Sequence, residues 1–142
     1  MADNPIARTG VGSGTPAFGN VVITPAFGLA GPNFIVREAS GYRSREEILL
    51  QQNATDGLYP EGLVLKTVDV AGETFYVPYD GTGDAGGILY QTRDVTQGNT
   101  SATAIVRACE VQRAMLVFAG TLNDAQKEAA YASLAAVHVV MR

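Results

Sequence analysis

Short apolar runs separated by glycine, proline and asparagine clusters fill the chain from residue 37 onward. Strand-like runs of this kind, with turn signals between them, are typical of a compact β fold or barrel. For the first run, a helical turn from Ser44 is the alternative to a strand. The predicted strands cover residues 47–50, 62–68, 75–77, 88–90, 102–109, 114–118 and 137–141.

One segment, from residue 124 to about residue 136, predicts a helix. Asn123 can cap it, and Gln126 three residues later completes a capping-box pattern. Alanines recur at helical spacing beside Ala130, Leu134 and Val137, and their small side chains would let the helix approach a sheet closely. These alanines are Ala125, Ala129, Ala132 and Ala136. The predicted fold class is therefore mainly β (α+β), a small β-rich barrel or clip-like domain with one C-terminal α-helix.

Residues 1–36 differ in composition and are predicted to form an extended N-terminal arm before a β-rich domain at 37–142. They contain four of the six prolines and only two charged residues, Asp3 and Arg8. Such a segment cannot bury enough apolar surface by itself to offset its ordering entropy, so we expect it to order against another surface. The sequence TPAFG at 15–19 recurs at 24–28, which indicates either two equivalent docking points or a chance echo.

Charge and cysteine content narrow the class of protein. The net charge is −4 and the basic residues are scattered singly, which argues against nucleic-acid binding. Cys109 is the only cysteine, so no intramolecular disulfide can form. The first residues lack the features of a signal peptide, and no apolar run reaches the roughly 18 residues of a membrane span. We therefore expect a soluble protein made without secretion.

Catalytic candidates are few. Cys109 and His138 could form a thiol–imidazole pair, but a packed strand position is the interpretation that we favour for each. His138 is the only histidine, which argues against a histidine-rich metal site. The sequence DGTGD at 80–84 lacks the remaining ligands of an EF-hand and the Gly-Lys-Ser/Thr ending of a P-loop, so it is interpreted as a turn.

Two features of the charged residues lead to structural expectations. Glu46 and Glu47 are adjacent in a predicted strand, so their side chains should point to opposite faces and should not act together on one substrate. Arg107 lies in an otherwise small and apolar run and is expected to need a carboxylate partner, either Glu110 or Asp94. The residues alone thus predict a binding or assembly protein without a visible active site.

An ordered series of motifs resembles the lambda-type bacteriophage head decoration proteins. The resemblance runs from about residue 35 to the end of the chain. Each motif is weak alone, but the order and the spacing are fairly specific. The motifs are SGYRSRE at 40–46, LYPEGLVL at 58–65, YDG at 79–81, AGGILY at 85–90, AIVRACEV at 104–111 and LAAVHVVMR at 134–142.

The resemblance implies a structural virion protein rather than an enzyme, with no cofactor and no metal. Members of the family form homotrimers that dock on the outside of the expanded capsid at three-fold positions. They clamp neighbouring major capsid proteins and stabilise the shell against packaged DNA. The implied location is the outer surface of the virion, after assembly in the host cytoplasm, with no direct contact to nucleic acid or membrane. The arm with its duplication departs from the family pattern, as does Cys109.

The arm is where we expect the capsid to bind. Its β-branched run at 21–24 can add a strand to the edge of a neighbouring sheet, and its phenylalanines can anchor the contact. The alternatives are another virion β module, such as a tail or carbohydrate-binding protein that uses exposed tyrosines, and a small hydrolase acting through Cys109. The predicted capsid-binding residues are Phe18, Val21, Val22, Ile23, Phe27 and Phe34.

Overall fold

The computed structural model of the chain describes residues 32–142. These residues form one compact unit, Pro32–Arg142, which begins five positions before the domain start predicted at residue 37. The predicted arm up to residue 31, with both copies of TPAFG, lies outside the described residues.

The described residues contain ten strands, two α-helices and one 3₁₀ helix, joined by loops and turns. In chain order they are β1 (Ile35–Glu38), α1 (Gly41–Ser44), β2 (Arg45–Leu50), β3 (Leu58–Tyr59), β4 (Val64–Val70), β5 (Glu73–Pro78), β6 (Gly87–Leu89), β7 (Arg93–Asp94), β8 (Thr100–Ile105), β9 (Cys109–Val111), the 3₁₀ helix (Arg113–Met115), α2 (Asp124–Ala136) and β10 (Val139–Met141).

Five strands close into a barrel in the order β2-β5-β4-β6-β8. Its longest pairings are antiparallel, between β4 and β5 and between β2 and β8. Ala71 and Gly72 link β4 to β5 with φ values of 53° and 84°, and positive φ at both central residues is the geometry of a type I′ hairpin turn. The mainly β fold with a barrel and one C-terminal helix is thus confirmed.

A three-stranded sheet, in the order β1-β9-β10, forms a second layer. In it β1 runs antiparallel to β9, whereas β10 runs parallel to β9. A parallel neighbour requires a crossover connection, and α2 supplies it. Because β1 pairs with β9, residues 35 and 36, which the sequence assigns to the arm, belong to the folded unit.

Apolar residues on the two faces of the barrel wall pack into two separate core clusters. Neighbours such as Ile88 and Leu89 point to opposite faces, because successive strand residues alternate. One cluster takes Ile48, Leu50, Leu65 and Leu89 from the barrel strands and fills the interior. The other lies between the outer wall, α2 and the three-stranded sheet. It contains Phe34, Val64, Ile88, Ile105, Val111, Leu134 and Val139.

The capping box of α2 is present as predicted. The Asn123 side chain accepts a hydrogen bond from the Gln126 N–H at 2.8 Å, and the Asn123 N–H donates to the Gln126 side chain at 3.0 Å. The predicted alanine stripe does not form the packing face, because the neighbouring positions Ala130 and Leu134 are the buried ones. The alanines of the predicted stripe, Ala125, Ala129, Ala132 and Ala136, all lie on the exposed side.

Three predicted strands are wrong in part. The run 102–109 is divided between β8 and β9, because the chain leaves the barrel after Ile105 and turns at Ala108, whose φ is 52°. The run 114–118 begins in the 3₁₀ helix, and only Val117 forms a β-bridge, to Leu63. His138, with a φ of 64°, likewise lies in a turn before β10 rather than in the strand.

Candidate functional site

Of the predicted capsid-binding residues, only Phe34 lies in the part that the structure describes. Its side chain is 1% exposed and packs in the cluster under the three-stranded sheet, so in this structure Phe34 is a core residue. The others are outside the described residues: Phe18, Val21, Val22, Ile23 and Phe27.

The start of the compact unit is held by hydrogen bonds that backbone N–H groups donate. The Asn33 N–H donates to Glu61 Oε2 at 2.7 Å, and the Gln112 N–H donates to the Phe34 carbonyl at 2.7 Å. Gly62, with a φ of +84°, passes under the Phe34 ring, and a Cβ there would lie 2.9 Å from the Met115 carbonyl oxygen. Asn33 and Phe34 are therefore fixed against the segments around Glu61 and Gln112.

An apolar groove of about 420 Å³ opens beside that segment. Leu58 on β3 is 69% exposed at the groove, while Tyr59 and Leu63 are buried. Alternation along the short strand puts Leu58 outward and Tyr59 inward. We name this surface the Leu58 groove; it is lined by Asn53, Asp56, Leu58, Tyr59, Pro60, Leu63, Pro78, Val117 and Ala119.

Hydrogen bonds hold the rim of the Leu58 groove in shape. The Asn53 side-chain oxygen accepts from the backbone N–H groups of Thr55 at 3.1 Å and Asp56 at 3.0 Å. On the neighbouring strand, Asp94 lies opposite Leu58. Hydrogen bonds from the Thr96 hydroxyl and N–H lower the pKa of Asp94, so this carboxylate is negative at neutral pH. The groove thus combines an apolar lining with negative charge at one end.

Cys109 and His138 line a separate open cavity of about 240 Å³. The thiol is 4% exposed, and burial, with a smaller contribution from the Glu38 carboxylate, raises its pKa to about 12. The thiolate is the nucleophilic form of cysteine, and at neutral pH this thiol is protonated. The geometry therefore favours the structural interpretation of Cys109 over a catalytic pair.

Thiol labelling checks this interpretation. A thiol-reactive disulfide reagent at pH 8 is expected to label native Cys109 at least about 100-fold more slowly than the urea-unfolded chain. Because the pKa is raised from 9.0 in the unfolded chain to about 12, the free energy of unfolding should fall as the pH rises above 9. Native labelling at the unfolded rate would show an accessible, reactive thiol.

The prediction that Arg107 pairs with Glu110 or Asp94 is wrong. Its Nη2 donates to Glu46 Oε2 at 2.6 Å and its Nη1 donates to the Arg43 carbonyl at 2.8 Å, because the turn after β8 brings Arg107 to the start of β2. Glu110 instead pairs with Arg142, at 3.0 Å. Glu47 accepts from the Ser101 hydroxyl at 2.7 Å, so the two adjacent glutamates are engaged separately.

The loop at 80–84 is a turn that is held by hydrogen bonds to the Asp80 side chain. Asp80 Oδ1 accepts from Lys66 Nζ at 2.8 Å and from the Thr82 hydroxyl at 2.6 Å. The Lys66 ammonium and then the Thr82 hydroxyl hold the pKa of Asp80 well below its usual range. Among residues 32–142, no group of three or more acidic, histidine or cysteine side chains could hold a metal ion. Within the same residues, no helix has the length and hydropathy needed to cross a bilayer.

Comparison with known proteins identifies the family. The model of the family described as bacteriophage lambda head decoration protein D matches residues 26–139. The match begins before the resemblance noted from residue 35 and so includes Phe27 of the second TPAFG copy. None of the curated proteins that were searched matches the chain. The chain therefore belongs to the family of bacteriophage lambda head decoration protein D, a class of structural phage capsid proteins and not a class of enzymes.

Proposed function

We propose that this protein is a trimeric decoration protein that docks on the outside of the expanded capsid at three-fold positions. There it binds the major capsid protein and stabilises the shell against packaged DNA, after assembly in the host cytoplasm. The observation that carries the proposal is the family match over residues 26–139. Since a ligand that binds only the closed, expanded shell favours that state by mass action, such docking resists rupture.

We assign the principal shell contact to the N-terminal arm, which ends before Asn33. The proposed contact residues are Phe18, Val21, Val22, Ile23 and Phe27, with the β-branched run pairing to a sheet edge of the capsid and the phenylalanines as anchors. Phe34 is not included, because it is buried in the core of this chain. Three arms on one trimer would raise one another's effective concentration once the first has bound.

The tyrosines that a carbohydrate-binding module would use do not form an exposed cluster. Tyr59 and Tyr79 are buried, and Tyr76 and Tyr90 are half-buried. Buried aromatic rings of this kind stabilise a core and cannot stack on a sugar. The burial of these four tyrosines therefore does not favour the carbohydrate-binding alternative.

Co-sedimentation with empty shells tests the proposal. The full chain is expected to elute with the mass of a trimer and to bind expanded shells, but not unexpanded ones. The double variant Phe18→Ala and Phe27→Ala should remain trimeric and bind at least about tenfold more weakly, because it lacks both anchors. A monomer, or equal binding to both kinds of shell, would contradict the proposed function. If the double variant binds as tightly as the full chain, the assignment of Phe18 and Phe27 as anchors is wrong, but the proposed function is not contradicted.

A further inference from the structure

We infer that the Leu58 groove is a second docking surface on the capsid. Its occupant is an extended segment of the major capsid protein that carries an apolar side chain next to a lysine or arginine. The inference rests on the proposed function, because it assumes that the protein docks on the shell. Its support comes from the position of the groove, its lining and its charge.

The groove lies near the start of the described domain. Asn33 is the second described residue, and its N–H is bonded to Glu61, which follows the groove residue Pro60. A capsid subunit that contacts the start of the domain would therefore meet this surface.

The lining of the groove suits an apolar side chain in an extended segment. Its volume of about 420 Å³ is within the range of ligand-binding clefts, and Pro60, Leu63, Pro78 and Val117 contribute apolar surface. Leu58 has the largest exposed fraction of any aliphatic side chain in the described residues, at 69%. Covering it would remove apolar surface from water, which favours association.

The charge of the groove indicates a basic partner. Asp56 lines the groove, and Asp94 lies opposite Leu58 on the neighbouring strand. Within residues 32–142, neither carboxylate lies within salt-bridge distance of a lysine, an arginine or the histidine, although five other acidic residues do form ion pairs. A lysine or arginine beside the docked apolar side chain would find two carboxylates that form no ion pair within residues 32–142.

Backbone hydrogen bonds hold the chain on both sides of the groove in place, so the groove is preformed. The Val95 N–H donates to the Gly57 carbonyl at 2.7 Å, and the Asn53 N–H donates to the Val95 carbonyl at 3.2 Å. These bonds tie the chain before Leu58 to the strand that carries Asp94. Little ordering of the groove is needed on binding, so less of the interaction free energy is lost.

Shell binding by two full-length variants tests the inference. Leu58→Asp is expected to bind expanded empty shells at least about tenfold more weakly than the unmodified chain, since it puts a third negative charge at an apolar contact. Val70→Asp is the matched control, because Val70 is 45% exposed at the end of β4 and does not line the groove. It should bind within about twofold of the unmodified chain. The trimer mass and the melting temperature of both variants should be unchanged.

The outcomes separate this inference from the proposed function. If the unmodified chain does not bind expanded shells, the proposed function fails. If it binds and Leu58→Asp binds equally well, only the groove inference fails. If Leu58→Asp dissociates the trimer, the groove is a contact between copies of this chain and the inference is overturned.

Salt dependence tests the basic partner. Raising the ionic strength from about 50 mM to about 300 mM should weaken binding of the unmodified chain more than binding of the double variant Asp56→Asn and Asp94→Asn. The variant should also bind more weakly at the lower ionic strength. Equal salt dependence of the two proteins would overturn the assignment of a lysine or arginine to the occupant.

Discussion

A chain truncated to residues 32–142 is expected to stay folded but to bind expanded shells at least about 100-fold more weakly than the full chain. The domain keeps every described hydrogen bond and both core clusters, whereas all the proposed arm contacts are lost. A further truncation to residues 37–142 is expected to destabilise the domain severely. It removes Phe34, and loss of a buried phenylalanine side chain alone costs about 3–5 kcal/mol.

Urea unfolding and shell co-sedimentation measure the two effects separately. The variant Phe34→Ala in the full chain serves as the control, because it should lower the free energy of unfolding without removing any proposed shell contact. Full shell binding by residues 32–142 would contradict the role of the arm. Undiminished stability of residues 37–142 would contradict the placement of Phe34 and of the start of β1 in the core layer.

Gly57→Ala is expected to lower the free energy of unfolding by about 3 kcal/mol. A Cβ at Gly57 would collide with the Asn53 carbonyl oxygen and would lie 2.7 Å from the Thr96 nitrogen. Both obstacles are backbone atoms, so the turn before Leu58 would have to move. Because that turn shapes the Leu58 groove, weaker shell binding should accompany the loss of stability.

Gly98→Ala is the matched control for this experiment. Nothing lies within 4 Å of a Cβ at Gly98, and its φ is not in the left-handed region. Its free energy of unfolding should therefore equal or slightly exceed that of the unmodified chain, since alanine reduces the conformational freedom of the unfolded state. Equal stability of the two glycine variants in urea unfolding would contradict the close backbone approach at Gly57.

Local signals were enough to predict the approximate positions of the barrel strands β2, β4, β5 and β6 and the start of α2. The capping box needs only Asn123 and Gln126, and the β4–β5 hairpin follows from two β-rich runs around a glycine turn. The break at Ala108 depends on distant residues instead. Its N–H donates to the Val137 carbonyl, and its own carbonyl accepts from Ala39 and Ser44. Nothing in the sequence around an alanine indicates such a left-handed turn.

The packing face of α2 and the Leu58 groove were missed for physical reasons. Alanines recur on more than one face of the helix, so periodicity alone did not separate the exposed stripe from the face of Ala130 and Leu134. The groove joins residues 53–63 with Pro78 and Val117, which meet only in the folded chain. Phe34 was assigned to the arm because its neighbours are rich in glycine and proline, whereas its burial depends on pairing between β1 and β9.

The closed barrel has a consequence for solubility at high concentration. Closure gives each of β2, β4, β5, β6 and β8 a hydrogen-bonded neighbour on both sides, which leaves less free edge for pairing between copies. Of the two outer strands in the second sheet, β1 is interrupted by a bulge and its Glu38 is ion-paired with Arg45, while β10 is only three residues long. Irregular, charged or very short edges pair poorly with other chains. These features disfavour edge-to-edge pairing of the barrel and of the three-stranded sheet with other chains.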